Sequence, residues 1–391
     1  MTHYLVQMIN KISTSLDINT DDQKMAVILQ LIDWNKAFYR QDSLLGIQAF
    51  IKNGVRPSLI PVLISFFQDR KMRVKWQGYL SSLLSMPGGG PQGCLLGLLE
   101  YLANSNDNAD HVPADMRFKF IDDLSILEVL NLILTGLSSY NSKTHVPCDV
   151  GPDQNYLPSA NTKSQMYLEQ IQSWKTANKM KLNTTKTKAM IFTFNKNHQF
   201  STRLHLENNL LEIISETKLL GTLITSDLKW HKNTGMMTKK AYKRMTILHK
   251  LSSFDVPQDD LVTIYVLYIR SMLELNCQVW HYSLTHEDTL LLERVQKTAL
   301  RIIYKEEYES YQNALFLSNL KTLKERRNDL CLKFAKKCTR HPSASRMFPL
   351  NQTSSYNLRQ QEKFFVQPAN TDRLKFSSIP QLQRALNQTN S

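Results

Sequence analysis

Three aspartates carry residue types and settings suited to phosphoryl transfer: Asp33, at the end of the apolar run MAVILQLI, and the adjacent pair Asp122-Asp123 in RFKFIDDLSIL. Such a reaction calls for two divalent cations about 3.5–4 Å apart, one to activate the attacking hydroxyl and one to neutralise the leaving pyrophosphate. Magnesium, or manganese in its place, takes oxygen ligands, so clustered carboxylates on rigid elements are the natural holders. An Asp-Asp pair alone says little. Asp21-Asp22 and Asp259-Asp260 sit where a helix cap or an exposed turn accounts for them. Asp122-Asp123 differs in its setting, because two like charges at a hairpin tip repel and tight hairpins prefer Asn-Gly or Asp-Gly. A bound cation resolves both difficulties.

The elements that must position these acids follow from periodicity. Residues 25–32 predict a buried strand that delivers Asp33 to a surface, followed by an amphipathic helix ending near Gly54 and a second helix over 56–67. MRVKWQG alternates as an exposed strand does. The stretch Pro87-Gly88-Gly89-Gly90-Pro91-Gln92-Gly93 predicts a loop feeding the N-terminus of the helix that CLLGLLEYL starts. Residues 117–127 predict a hairpin with the acids at its tip, 138–164 a long loop, 167–177 a helix, and KAMIFTF, RLHLENNLLEI and KLLGTLI strands. Beyond about residue 230 the pattern turns helical, over 239–251, 261–280, 286–303 and 320–337, which marks a domain boundary. After about residue 342 the Ser/Asn/Gln/Pro-rich chain predicts a mobile tail.

With 391 residues, 42% of them hydrophobic, the chain can bury a sizeable core. A formal net charge of +14 favours polyanionic partners, nucleic acid before an anionic membrane surface. The strongest apolar stretch, LVTIYVLYI, is far short of the roughly 20 residues of a spanning helix. No secretory signal is evident at MTHYLVQMINKIS, so an intracellular location and no membrane partner are expected. The five cysteines have no CxxC spacing and imply neither a disulfide framework nor a zinc ribbon. Cys331, Cys338 and His341 could offer metal ligands, but a structural role fits their spacing better.

The ordered series LIDWNKAF, GGGPQG, FIDD, WKTANKMKLNTTKTKAMIF and KLLGTLI is similar to motifs A to E of the reverse transcriptase palm, and most similar to those of non-long-terminal-repeat retrotransposons. The resemblance covers residues 25 to about 227, and AYKRMTILHKL, LELNCQVWHYSL and LERVQKTALRIIY resemble the region that follows the palm in such elements. It implies an α+β fold: a palm over 25–229, with an antiparallel sheet backed by helices, and a mostly helical thumb and C-terminal region over 230–341. Residues 1–24 would be a remnant of the fingers or of a connecting helix. Most of the fingers and the endonuclease region would be lacking, with only Lys11 and Lys24 upstream as cations for a triphosphate.

Residue by residue, the resemblance gives Asp33, Asp122 and Asp123 the two magnesium ions, and gives Phe38 the steric gate against a ribose 2′-hydroxyl. Gln92 and Gly93, with Gly90 and Pro91, would lie against the incoming nucleotide. Among Lys181, Asn183, Lys186 and Lys188, Lys186 would protonate the leaving pyrophosphate, and Leu220-Gly221 would form the primer-grip hairpin. Tyr39 and Cys94 depart from the family's usual Asp and Ser or Thr. The implied partners are an RNA template, a DNA primer and deoxynucleoside triphosphates. Lys239, Lys240, Lys243 and Arg244, opposite the apolar stripe Met237, Ala241, Met245 and Leu248, would face a nucleic-acid backbone, joined by basic residues of 321–337. The alternative is a catalytically silent nucleic-acid-binding remnant.

Overall fold

The run MAVILQLI forms strand β1 (Met25–Ile32), whose central residues are buried on both faces as an unbroken apolar strand requires. In the computed structural model, residues 1–18, 25–86, 88–132, 156–157, 162–194, 201–351 and 363–389 are described. Asp21-Asp22, Lys24, Cys148 and most of the expected 138–164 loop lie outside them. The chain divides into a unit of residues 26–191 and 195–214, built on a sheet, and a mainly helical unit of residues 1–25, 192–194 and 215–391.

In the sheet unit, β1 is the middle of five strands in the order β13-β9-β1-β7-β6. Here β6 is Arg117–Phe120, β7 Asp123–Asn131, β9 Lys188–Phe192 and β13 Glu212–Ile213. The β6/β7 pair is antiparallel as expected, whereas β13 joins β9 in parallel. The sheet is therefore mixed. The unit also holds short pairings of β8 (Tyr156–Leu157) with β10 (Ser201–Thr202) and of β11 (His205–Leu206) with β12 (Asn209–Leu210).

Helix α5 (Lys163–Ala177) packs Tyr167, Leu168 and Ile171 against Ile28 and Ile32 of β1 and Leu124, Ile126 and Leu130 of β7. Its N-terminus is fixed by the buried Glu128, whose carboxylate accepts from the Lys163 and Ser164 amides at 2.9 and 2.8 Å. A second cluster joins α2 (Ser43–Lys52), α3 (Ile60–Phe67) and α4 (Leu95–Asn104) through Ile47, Phe50, Leu63, Phe67 and Leu96. Between α3 and α4 an exposed ribbon pairs β2 (Lys71–Met72) with β5 (Leu84–Ser85) and β3 (Lys75–Trp76) with β4 (Tyr79–Leu80). It turns at Gln77-Gly78, both at positive φ, a type I′ turn where one strand had been expected.

The helical unit departs further from the sequence reading. Helix α1 (Thr2–Leu16), expected as a remnant of the fingers, belongs to this unit. Its terminal Asp17 carboxylate accepts from the Asn370 and Thr371 amides and the Thr371 hydroxyl at the start of α13 (Asp372–Lys375). The expected mobile tail instead includes α13 and α14 (Ser378–Thr389), which bury Ile379, Leu382 and Leu386. A helical spacing of three apolar residues was present among the polar ones.

Leu220-Gly221 makes another type I′ turn, between β14 (Glu216–Leu219) and β15 (Thr222–Thr225). Next come α6 (His231–Ser253), α7 (Gln258–Ile264), a π-helical turn over Tyr265–Arg270, α8 (Ser271–Leu273), α9 (Cys277–Trp280), α10 (His286–Tyr304), α11 (Tyr311–Leu317) and α12 (Leu323–Thr339). The single helix expected over 261–280 breaks at Asn276, at φ 51, whose amide donates to the Leu220 carbonyl and the Thr222 hydroxyl. Among the described residues no helix is long and apolar enough to cross a membrane.

Candidate active site

Asp33 follows β1 directly, and the chain there is zipped to the 181–187 turn. Its amide donates to Thr187 Oγ1 at 3.2 Å, its carbonyl accepts from Asn183 N–H at 2.9 Å, and Trp34 bridges to Leu182. The Asn183 side chain and the Lys186 charge both act on the Asp33 carboxylate. The other two acids come from the β6/β7 hairpin. Phe120 pairs with Asp123, so the two-residue turn is Ile121-Asp122 and Asp123 opens the strand; the tip lies one place earlier than the sequence reading had it. Ile121 has φ 57, a left-handed conformation that a β-branched residue rarely adopts.

The three carboxylates act on one another. Burial raises the Asp33 pKa, with Lys186 and Asn183 opposing the shift and Asp122 adding to it. Asp123 is pushed up to about 6, first by burial, then by the charges of Asp122 and Asp33. The buried Tyr101 hydroxyl is raised as well, by burial and by Asp122 and Asp123. Among the described residues no three His, Cys, Asp or Glu side chains are gathered so as to hold a metal ion. In chemistry alone, the three acids offer what a hard divalent cation takes: oxygen donors from separate elements, with a mutual repulsion that a cation would relieve.

Phe38 is half-buried, with its ring 4.7 Å from that of Tyr101 and packed at the edge of the sheet core. The glycine loop lies against the same segment: Gly90 N–H donates to the Phe38 carbonyl and Gly89 N–H to the Gln41 carbonyl, both at 2.7 Å, and the Arg70 guanidinium holds the Gly89 carbonyl. Gly88, Gly89 and Gly90 make room for residues 39–41 of the chain itself, and of these only Gly90 had been expected beside the nucleotide. Only beyond them does the loop open out, at exposed Gln92 and at Gly93, which has φ +82 and nothing within 4 Å of an added Cβ. Cys94 takes the N-cap of α4, its sulfur accepting from Gly97 N–H at 3.4 Å. That is a job for which serine or threonine would be usual.

Of the motif D lysines, Lys188 is ion-paired with Glu212, whereas Lys186 is exposed and acts on Asp33. In the helical unit, Lys239, Lys240 and Lys243 are exposed on α6, opposite buried Met237, Ala241, Met245 and Leu248. Arg244 does not share that freedom. It is half-buried, donates to the Tyr268 carbonyl at 2.5 Å and lies 4.4 Å over the Tyr268 ring. Lys218, distant in sequence and missed by its patterns, lowers the Lys240 pKa and so belongs to the basic cluster. Arg327 is fully buried over Trp280, and Lys321 pairs with Asp329 at 2.7 Å, which removes both from the basic surface expected over 321–337. Cys331 is buried facing Cys277, while Cys338 lies 3.7 Å from His3 Nδ1, so the Cys331/Cys338/His341 ligand set does not form.

No family model matches this chain. Over 364 residues, 89% of its length, it is 24% identical to a curated protein of Drosophila melanogaster named "Probable RNA-directed DNA polymerase from transposon BS". The chain spans 37% of that relative's length. It is thus a distant relative of a transposon-encoded RNA-directed DNA polymerase, and resembles it along almost all of its own sequence.

Proposed function

We propose that residues 25–229 act as the palm of a reverse transcriptase and residues 230–341 as its thumb and C-terminal region, extending a DNA primer on an RNA template with deoxynucleoside triphosphates. The observation that carries the reading is the electrostatic coupling of Asp33 with Asp122 and Asp123, acids from separate segments. Such convergence of like charges is costly without a purpose. Two magnesium ions held by Asp33, Asp122 and Asp123, with manganese as a substitute, would supply the charge neutralisation that nucleotidyl transfer requires.

The chain's own residues do the rest. Asn183 and Lys186 favour the ionised form of the Asp33 carboxylate against the burial that raises its pKa. Lys186, exposed beside it, hands a proton to the departing pyrophosphate. Phe38, backed by Tyr101, presents an edge that a 2′-hydroxyl would meet, and Gln92 and Gly93 lie against the nucleotide from an anchored loop. Primer extension on poly(rA)/oligo(dT) with magnesium, for this chain and for Asp123→Ala, tests the proposal. Extension by the first and not by the second is expected; equal extension by both would refute the assignment. A second reading, a silent nucleic-acid-binding remnant, is favoured by exposed Lys239, Lys240 and Lys243 with Lys218, which need no carboxylates. Hybrid binding without extension, even with upstream chain added, would select it.

A further inference from the structure

The glycine loop is latched by groups that the proposed reaction does not use. Glu100, on α4, is fully buried, and so is nearly all of Gln41. All four polar atoms of these side chains, Glu100 Oε1 and Oε2 and Gln41 Oε1 and Nε2, lack a hydrogen-bond partner. Buried polar groups left this way call for an explanation.

Two glycines shape the space around them. A Cβ on Gly46, inside α2, would fall 2.6 Å from Glu100 Cγ and 2.7 Å from Oε1. One on Gly90, in the loop, would fall 1.9 Å from Gln41 Oε1 and 3.5 Å from Glu100 Oε2. The carboxyl is thus held between a helix notch and a loop notch, next to a carboxamide. Gly46 sits mid-helix, where glycine is unfavourable, so the notch is a feature that α2 carries at a penalty.

We propose that Glu100 is a positioning residue that latches the glycine loop: as a neutral acid it can turn its O–H to the neighbouring Gln41 Oε1, and on losing its proton it releases the loop. The ionised carboxylate has no donor to offer, and it draws Arg70 away from the Gly89 carbonyl that this guanidinium holds in the closed loop. Burial pushes the Glu100 acid up to about 7, so both states are populated near neutrality. The charged or polar groups facing it are Arg70, after α3, which favours the ion; the Ser43 hydroxyl of α2, which does likewise without reaching hydrogen-bond geometry; and Asp42, at the α2 N-cap, which opposes it. Any consequence for the nucleotide at Gln92 and Gly93 rests on the function proposed above. The latch does not.

Hydrogen exchange at the Gly89 and Gly90 amides, bonded to Gln41 and Phe38, reads the latch with no need of polymerase activity. With intrinsic exchange divided out, their protection should fall about tenfold per pH unit above 7, since a single deprotonation opens the loop. In Glu100→Gln, which keeps donor and acceptor at every pH, protection should stay flat from pH 6 to 8 and match the wild-type value at pH 6. A flat wild-type profile overturns the proposal, and that measurement needs no variant to fold. An equal pH dependence in Glu100→Gln overturns it too, because the titrating group is then elsewhere. Failure of primer extension, by contrast, would leave this result untouched.

Discussion

Asp122-Asp123 and Asp259-Asp260 are the same dipeptide in two environments. The latter occupies the first turn of α7, exposed, where the positive end of the helix dipole welcomes acids. The former spans the end of a turn whose first residue, Ile121, is left-handed, and Asp123 is half-buried among like charges from Asp122 and Asp33. One pair stabilises its element and the other strains it. That strain, and not the dipeptide itself, is what sets the two pairs apart.

The sharpest way to break the comparison is to remove each pair. In any extending form of the protein, Asp123→Ala should lower the single-turnover rate about a thousandfold or more, since several kcal/mol of transition-state stabilisation are lost. Removing Asp259 and Asp260 together should leave that rate within about twofold and lower thermal stability by about 0.3–1 kcal/mol per charge. A comparable loss of rate from both would erase the distinction.

The next effect is pH-dependent. The folded Asp123 value of about 6 lies above the usual carboxylate value of about 4. Between the two the folded state binds more protons than the unfolded state, so the ion-free protein should lose stability as pH rises from about 4 to about 6. A divalent cation competes with that proton. Magnesium affinity by calorimetry should therefore weaken up to about tenfold per pH unit below 6 and level off above it. Constant affinity from pH 5 to 7 would show that Asp123 is not a ligand.

Smaller effects sharpen the roles around the pair. Phe38→Ala should lower the preference for deoxynucleotides over ribonucleotides by about tenfold in competition assays, with a modest loss of stability from the broken Tyr101 contact. Unchanged selectivity would return Phe38 to the core alone. In the other unit, changing Lys239, Lys240 and Lys243 to Gln should make the salt dependence of duplex binding shallower by about 0.9 per lost phosphate contact. Arg244→Gln should instead act on stability, because its guanidinium is bound to Tyr268. If Arg244 alone changes the slope, the basic face has been assigned to the wrong side chains.

Legibility in the sequence followed the range of the interactions. The β1 strand, the acid-bearing hairpin, the loop before α4 and the basic face of α6 could be read because each rests on neighbours a few residues apart. What could not be read depends on distant partners: Asp17 holding Asn370 and Thr371, Lys218 beside Lys240, Asn276 breaking a helix to reach Leu220, and Glu100 seated in the Gly46 notch. Composition misled at the C-terminus, where the few apolar residues of 379–386 are all that α14 needs to bury one side.

The left-handed Ile121 has a consequence for engineering. A glycine there would adopt φ 57 without the penalty of about 1–3 kcal/mol that a β-branched residue carries. A screen that rewards heat tolerance alone should therefore favour Ile121→Gly, and in doing so exchange a stiff turn for a pliant one beside Asp122. Under the function proposed above, thermal selection and catalytic selection would pull this one codon in opposite directions, so libraries aimed at a more durable protein should hold position 121 fixed.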